Sequence, residues 1–328
     1  MLADVVLGIQ HGDEAKGKVT HYLSKNKNYT HVLRFNGGCN AGHTIYHEGR
    51  KFVTHHIPAG VFYGIKSIIG PGCVISPEHF FEEVRELEDA GIDLRGKLFI
   101  AKNAHVITGT HLQEERTESK IGTTRRGNGP AYRDKYARKG IRASEVASLG
   151  SYMIDLYEEF HSDTSVKILC EGAQGFGLDI DWGDYPYVTS SHCGLGSAFL
   201  NGVSPRWLRD VWGVAKIYET YVGAKSFEPD EPVFQALRDL GEEYGATTGR
   251  PRQCNWLNLN ELQKSIALNS VNKLVINKMD VIRELGQFSL YHNANLITFG
   301  SEKEMCDFII AQLPNNIEIF FSEDKNRI

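Results

Sequence analysis

The chain reads as an α/β protein with a large, mostly parallel central sheet flanked by helices and a P-loop-like phosphate loop after the first strand. Three observations predict this. Short, mostly apolar runs such as Val5–Ile9 and Val166–Cys170, the latter broken only by Lys167, lack the strict alternation of a half-exposed strand, which suits strands buried on both faces. Such runs break directly into polar, glycine-rich loops, and in open α/β sheets ligands sit at that carboxyl edge. Helical spacing with recognisable caps fills the intervals. A chain of 328 residues is long enough to bury roughly three quarters of its unfolded surface. We expect one domain, 1–328, with small subdomain insertions.

The first run leads into Gly12–Lys18. Backbone N–H groups at a strand end, with Lys16 and Lys18 beside them, form a natural phosphate cradle. Gly12, Gly17 and Lys18 fit the GxxxxGK half of a P-loop, but Val19 stands where a Mg²⁺-binding hydroxyl belongs. An acidic pair, Asp13 and Glu14, lies inside a loop that should hold anions, so a carboxylate there has a metal or a proton to handle.

His31–Phe35 is a second short strand, followed by the glycine-rich turn Asn36–Thr44. His43 sits in that turn behind Asn40 and Gly42, and an imidazole titrates near working pH, which makes it an acid candidate. Ser76 and Pro77 have N-cap and N1 chemistry, Gly91 closes the helix, and Phe80, Phe81, Val84 and Leu87 form its packed face. Lys97–Ala101 is another strand, and His105 and His111 nearby read as polar surface.

Basic residues then crowd Lys120–Arg142 with Asp134 as the one acid, and the glycines among them make an ordered phosphate-binding turn the better reading than a solvated face. After Val166–Cys170 come Glu171 and Gln174, whose amide offers both a donor and an acceptor for a purine edge. Asp179 and Asp181 alternate with apolar residues and read as strand-exposed carboxylates. Val211–Tyr218 is a further strand. In Gly245–Arg252, Thr247 and Thr248 precede Arg250 and Arg252, a loop able to clamp a carboxylate substrate. Lys273–Asp280 ends a strand in Asn277, Lys278 and Asp280, the NKxD arrangement that reads guanine.

Net charge is −5, so no global field favours nucleic acid or an anionic membrane. The six cysteines show no paired spacing, and no run of about 18 apolar residues occurs. The opening MLADVVLGIQ lacks a basic n-region and a long apolar core. We therefore expect a soluble cytoplasmic protein with free thiols and with neither nucleic acid nor membrane as a partner.

The motifs QHGDEAKGK, GGCNAGHT, GTTRRGNGPAYRDK, EGAQG, YPYVTSS and GATTGRPR, in this order over residues 4 to about 282, resemble adenylosuccinate synthetases. The last 45 residues match poorly. The resemblance implies a ligase that joins L-aspartate to C6 of IMP through a 6-phosphoryl intermediate, with GTP and Mg²⁺. It implies Asp13 as the base that takes the N1 proton and as a metal ligand, Gly42 as a second metal ligand, and His43 and Gln174 as catalytic partners. Gly12, Glu14, Lys16, Gly17, Lys18, Thr44, Lys278 and Asp280 would meet the triphosphate. Asn40, Thr124, Gln174, Thr189 and Arg250 would meet the mononucleotide, and Arg138 the mononucleotide of the neighbouring subunit in a homodimer. Thr247, Thr248, Arg250 and Arg252 would hold aspartate.

Departures from the family pattern mark open choices. Ala15 replaces a glycine and His11 a tryptophan. Arg125 and Asn128 depart from GTTGRGIGP, Tyr221 and AKSF from TRVGAGPF, and no STGP segment is present. These leave open dGMP instead of IMP, as in some phage relatives that make the precursor of 2-aminoadenine DNA, and ATP instead of GTP. A phage-encoded chain would act in the host cytoplasm. A P-loop-like GTPase and an inactive nucleotide-binding module are the readings from other classes.

Overall fold

The computed structural model describes residues 1–118, 120–245, 249–323 and 328. Among them, nine strands form one parallel sheet. From edge to edge they are Glu318–Ser322, Lys273–Asn277, Leu208–Lys216, Leu2–Gly8, Lys167–Glu171, His31–Arg34, Lys66–Ile69, Leu98–Ala101 and Met153–Ile154. The Leu2–Gly8 strand is central, with Val5 opposite Cys170 on one side and Val211 on the other.

Successive residues of these strands bury on opposite faces, which is why the sequence shows continuous apolar runs. Leu7, Leu33, Ile168, Val211 and Ile276 pack on one face with Phe234 and Trp256. Val6, Val32, Leu169, Val214 and Val275 pack on the other, against Val19 and Leu23 of the helix Lys16–Asn26.

The expected helix is Pro77–Asp89, with the Ser76 hydroxyl accepting from the His79 N–H and Gly91 at φ +90°. The Val211–Tyr218 run divides at Ile217. Tyr218–Tyr221 joins Gln253–Asn258, Phe288–His292 and Asn295–Phe299 in a second, four-stranded sheet. That sheet carries Arg252, at the foot of its second strand, to the carboxyl edge of the first.

Two readings are corrected. Asp179 is not a strand carboxylate: it is buried, and its oxygens accept from the N–H groups of Asp181, Trp182 and Cys193, closing a loop. Asp181 lies in the same loop and is likewise in no strand. His111 is not surface: its Nδ1 accepts from the Thr108 N–H at 3.1 Å and its Nε2 lies 3.2 Å from Asp134. Both work over distances in sequence that periodicity does not register.

Candidate active site

A cavity of about 430 Å³ opens at the carboxyl edge of the sheet, where the ends of Leu2–Gly8, His31–Arg34, Lys167–Glu171 and Lys273–Asn277 meet. Its floor is the phosphate loop. Gly12, Asp13 and Ala15 all take positive φ, of 90°, 61° and 71°. The glycine usual at position 15 in the pattern is thus replaced by a residue holding a glycine conformation, at a cost of about 1 kcal/mol. The loop is held by Glu14, which is fully buried and accepts from the N–H groups of Gln10 and Gly12 while pairing with Lys16 Nζ at 2.6 Å. A Cβ on Gly8 would come within 2.4 Å of that carboxylate, so the strand must end in glycine.

Glu14 stands behind the cavity wall, and its carboxylate serves the loop's shape. Gly12, Asp13, Lys16, Gly17 and Lys18 line the cavity. The helix Lys16–Asn26 starts there, with the positive end of its dipole toward the space. Lys18 Nζ donates to Ser322 Oγ at 2.7 Å, which brings the far edge strand to the same site.

The turn Asn36–Thr44 supplies the second wall, with Asn40, Gly42, His43 and Thr44. His43 opens a hairpin, His43–His47 with Arg50–Thr54, and packs so closely on the helix that a Cβ on Gly17 would lie 3.0 Å from its own Cβ. Its Nδ1 lies 2.6 Å from Glu171 Oε1 and 2.8 Å from Arg34 Nη1. Its Nε2 is buried without a hydrogen-bond partner among the described residues. Burial, reinforced by Arg34, pushes the His43 pKa down against the pull of Glu171. Burial alone would raise the Glu171 carboxyl, but His43, Arg34 and the Ala59 N–H together hold it low.

Gln174, at φ +57°, donates through Nε2 to Asn40 Oδ1 at 3.2 Å, and its Oε1 is buried with no partner among the described residues. Thr124 and Thr189 face the same space. So does Asn128, a buried residue at the start of the helix Asn128–Tyr136, whose Oδ1 also has no such partner.

Arg252 reaches in from the second sheet. Its Nη1 donates to Glu243, whose other oxygen takes Lys216 Nζ at 3.0 Å and the Tyr218 hydroxyl at 2.6 Å. Burial alone would raise the Glu243 carboxyl, but Lys216 and Arg252 outweigh it and hold it at about 2. Arg252 Nε lies 2.8 Å from Asp13 Oδ2. Lys278, at φ +70°, and Asp280 close the remaining side, and Asn277 Nδ2 donates to the Glu14 carbonyl at 2.8 Å, tying the end of the Lys273–Asn277 strand to the phosphate loop.

Three placements differ from the rest. Arg138 is exposed and does not line the cavity. Arg250 is exposed at the rim, where its Nη1 approaches the Gly122 carbonyl at 3.4 Å. Thr247 and Thr248 lie outside the described residues. Sequence reading missed Arg34, Glu171 as a partner of His43, and the Lys216–Glu243 support of Arg252. Arg34, Glu171 and Lys216 are charged residues at the ends of strands that run into the site, a signal that marks them as candidates without showing their partners; Glu243 follows the helix Pro232–Leu240 and carried no such signal.

The donor set fits Mg²⁺. Asp13 offers a half-exposed carboxylate and Gly42 a backbone turn in the same cavity wall. No cluster of three or more His, Cys, Asp or Glu groups able to hold a metal occurs among the described residues.

Comparison with known proteins agrees with this fold. The family model for adenylosuccinate synthetase matches residues 5–159 and 145–296. The adenylosuccinate synthetase of Chlorobium chlorochromatii is 38% identical over 86% of this chain and 77% of its own, and that of Halothermothrix orenii 38% identical over 96% and 84%. The fully ligated adenylosuccinate synthetase of Plasmodium falciparum superposes with a TM-score of 0.79 at 31% identity, covering 93% of this chain and 85% of its own. The succinoaminodeoxyadenylate synthetase of cyanophage S-2L, bound to dGMP and dATP, shares the fold at a TM-score of 0.73 and 21% identity, covering 95% and 99%. The chain belongs to the adenylosuccinate synthetase family, ligases that form a C–N bond in purine biosynthesis.

Proposed function

We propose that the chain joins L-aspartate to C6 of IMP, using GTP. The observation that carries this is the meeting of Asp13, His43 and Gln174 in one cavity with the phosphate loop and Arg252. Asp13 takes the N1 proton of the purine, so that the 6-oxygen can attack the γ-phosphorus while GDP leaves. His43 Nε2 and the Gln174 amide face the reacting edge, where groups fixed in advance act on charge as it develops. The aspartate amine then attacks C6 and phosphate departs. Arg252, held by Glu243, receives the aspartate carboxylate together with Thr247, Thr248 and Arg250. Lys16, Gly17, Lys18 and Thr44 receive the triphosphate, and Lys278 and Asp280 its guanine.

Asp13 and Gly42 would hold Mg²⁺, which when bound neutralises charge on the transferred phosphoryl group. Arg138, exposed and outside its own cavity, completes the neighbouring site in a homodimer. The cytoplasm suits cysteines that are all free thiols.

A second reading has its own observation. The buried Oδ1 of Asn128, without a partner among the described residues, is an acceptor that a purine 2-amino group would satisfy, which favours a (d)GMP substrate, with host cytoplasm as the setting if the gene is a phage's. One panel decides: IMP, GMP and dGMP, each with L-aspartate and Mg²⁺ and with GTP or ATP. Phosphate release that requires both IMP and aspartate supports the main reading. A kcat/KM for dGMP more than about tenfold above that for IMP replaces it. Release independent of aspartate points to a GTPase, and none at all to an inactive binding module.

A further inference from the structure

We propose that Glu171 is a positioning residue for His43 and that Arg34 fixes Glu171 in turn, so that the three side chains form one buried fixture aiming Nε2 of the imidazole into the cavity. The proposal rests on the reading of His43 given above. Its basis is geometric. Arg34 ends one strand, Glu171 ends its neighbour, and the parallel register sets them opposite each other. Glu171 Oε1 accepts from Arg34 Nη1 at 2.5 Å and lies 2.6 Å from His43 Nδ1, while its Oε2 accepts from the Ala59 N–H at 2.9 Å. Arg34 Nη2 donates to the His55 carbonyl at 3.2 Å. Side-chain exposures are 2% for Arg34, 0% for Glu171 and 5% for His43.

A carboxylate oxygen and a ring nitrogen at that separation need a proton between them, and the guanidinium has no lone pair to offer. Nδ1–H therefore donates to Glu171, and this fixes both the ring plane and the face it turns to the cavity. Because Arg34 neutralises Glu171, the pair orients the imidazole without adding net charge behind it. Nε2, buried and unpartnered among the described residues, is the one ring atom left to meet a substrate. Strand register thus determines where the imidazole stands.

The test is a double-mutant cycle on the full-length protein. Glu171→Gln keeps volume but weakens the shared acceptor, and it should lower kcat about a hundredfold while the mononucleotide KM stays within about threefold. In a His43→Asn background the same change should cost little more, because its effect runs through the ring. Selective ¹⁵N-histidine spectra should show a protonated Nδ1 in the parent and loss of that signature in Glu171→Gln. Calorimetric binding of the mononucleotide verifies that each variant is folded, and Arg34→Lys serves as a second variant if Glu171→Gln is not. A wild-type kcat, or an equal loss with and without His43, would overturn the proposal. If His43→Asn itself leaves kcat unchanged, the functional reading of His43 fails instead.

Discussion

The Arg252 guanidinium stands 2.8 Å from the Asp13 carboxylate, so the residue assigned to the amino-acid substrate holds the residue assigned to the purine base. If Arg252 receives the substrate carboxylate as proposed, that carboxylate competes for the same guanidinium and releases Asp13. Arg252→Leu removes both interactions and should raise the KM for L-aspartate about a hundredfold, with the mononucleotide KM changed far less. Steady-state kinetics with each substrate varied in turn measures the split. Equal effects on both substrates would place Arg252 outside the aspartate site.

Asp13→Asn keeps volume and the left-handed backbone that Asn tolerates, but it can neither take the N1 proton nor act as an anionic ligand. Turnover should fall by about 10²- to 10⁴-fold at an unchanged melting temperature. Near-normal turnover would remove Asp13 from the chemistry.

Arg138→Leu should weaken the mononucleotide and leave aspartate nearly unaffected. Mixing it with Asp13→Asn should restore part of the activity, because each mixed dimer can assemble one intact site. No recovery in verified mixed dimers counts against a shared site.

Ala15→Gly should stabilise the fold by about 1 kcal/mol, since φ +71° penalises a Cβ and leaves glycine unstrained. Urea unfolding of the two proteins reads this directly. A destabilised variant would mean that the Ala15 methyl packs to greater effect than the strain costs.

His56 is buried and its Nε2 accepts the Ser76 N–H, and burial, with the His55 ring and the Arg34 guanidinium disfavouring a further positive charge, pushes its pKa from 6.5 to about 3. A base depressed in the folded state contributes stability that is fully present above its unfolded pKa and is lost as pH falls toward the folded one. Between neutral pH and about pH 5 one such group withdraws about 2 kcal/mol. The urea midpoint should fall over that interval, and His56→Gln, which still offers an acceptor, should flatten the fall.

The sheet was legible because its strands are buried on both faces, and that leaves runs such as Val5–Ile9 with no polar interruption. The helix Pro77–Asp89 was legible because its caps lie within the local sequence. The cavity residues Asp13, His43, Gln174 and Lys278 could be picked out as polar groups in loops that follow strands. The pairing of Glu171 with His43 could not, since it joins positions 128 apart and depends on which strands become neighbours. Asp179 misled because alternation beside apolar residues resembles a strand, whereas its carboxylate answers three backbone donors in a loop. Lys216 and Glu243 hid for a related reason: an ionised pair inside the core has no signature in hydropathy.

The central position of Leu2–Gly8 has a consequence during synthesis. Its two neighbours in the sheet, Lys167–Glu171 and Leu208–Lys216, lie more than 150 residues further along the chain. At about 5–20 residues per second the ribosome needs on the order of ten seconds or more to deliver them. Throughout that interval an apolar strand with both edges unsatisfied waits in the nascent chain, a target for chaperones and for association with other unfinished copies. Substitutions that weaken Lys167–Glu171 or Leu208–Lys216 should therefore lower the yield of native protein in cells more than their effect on the finished fold would suggest.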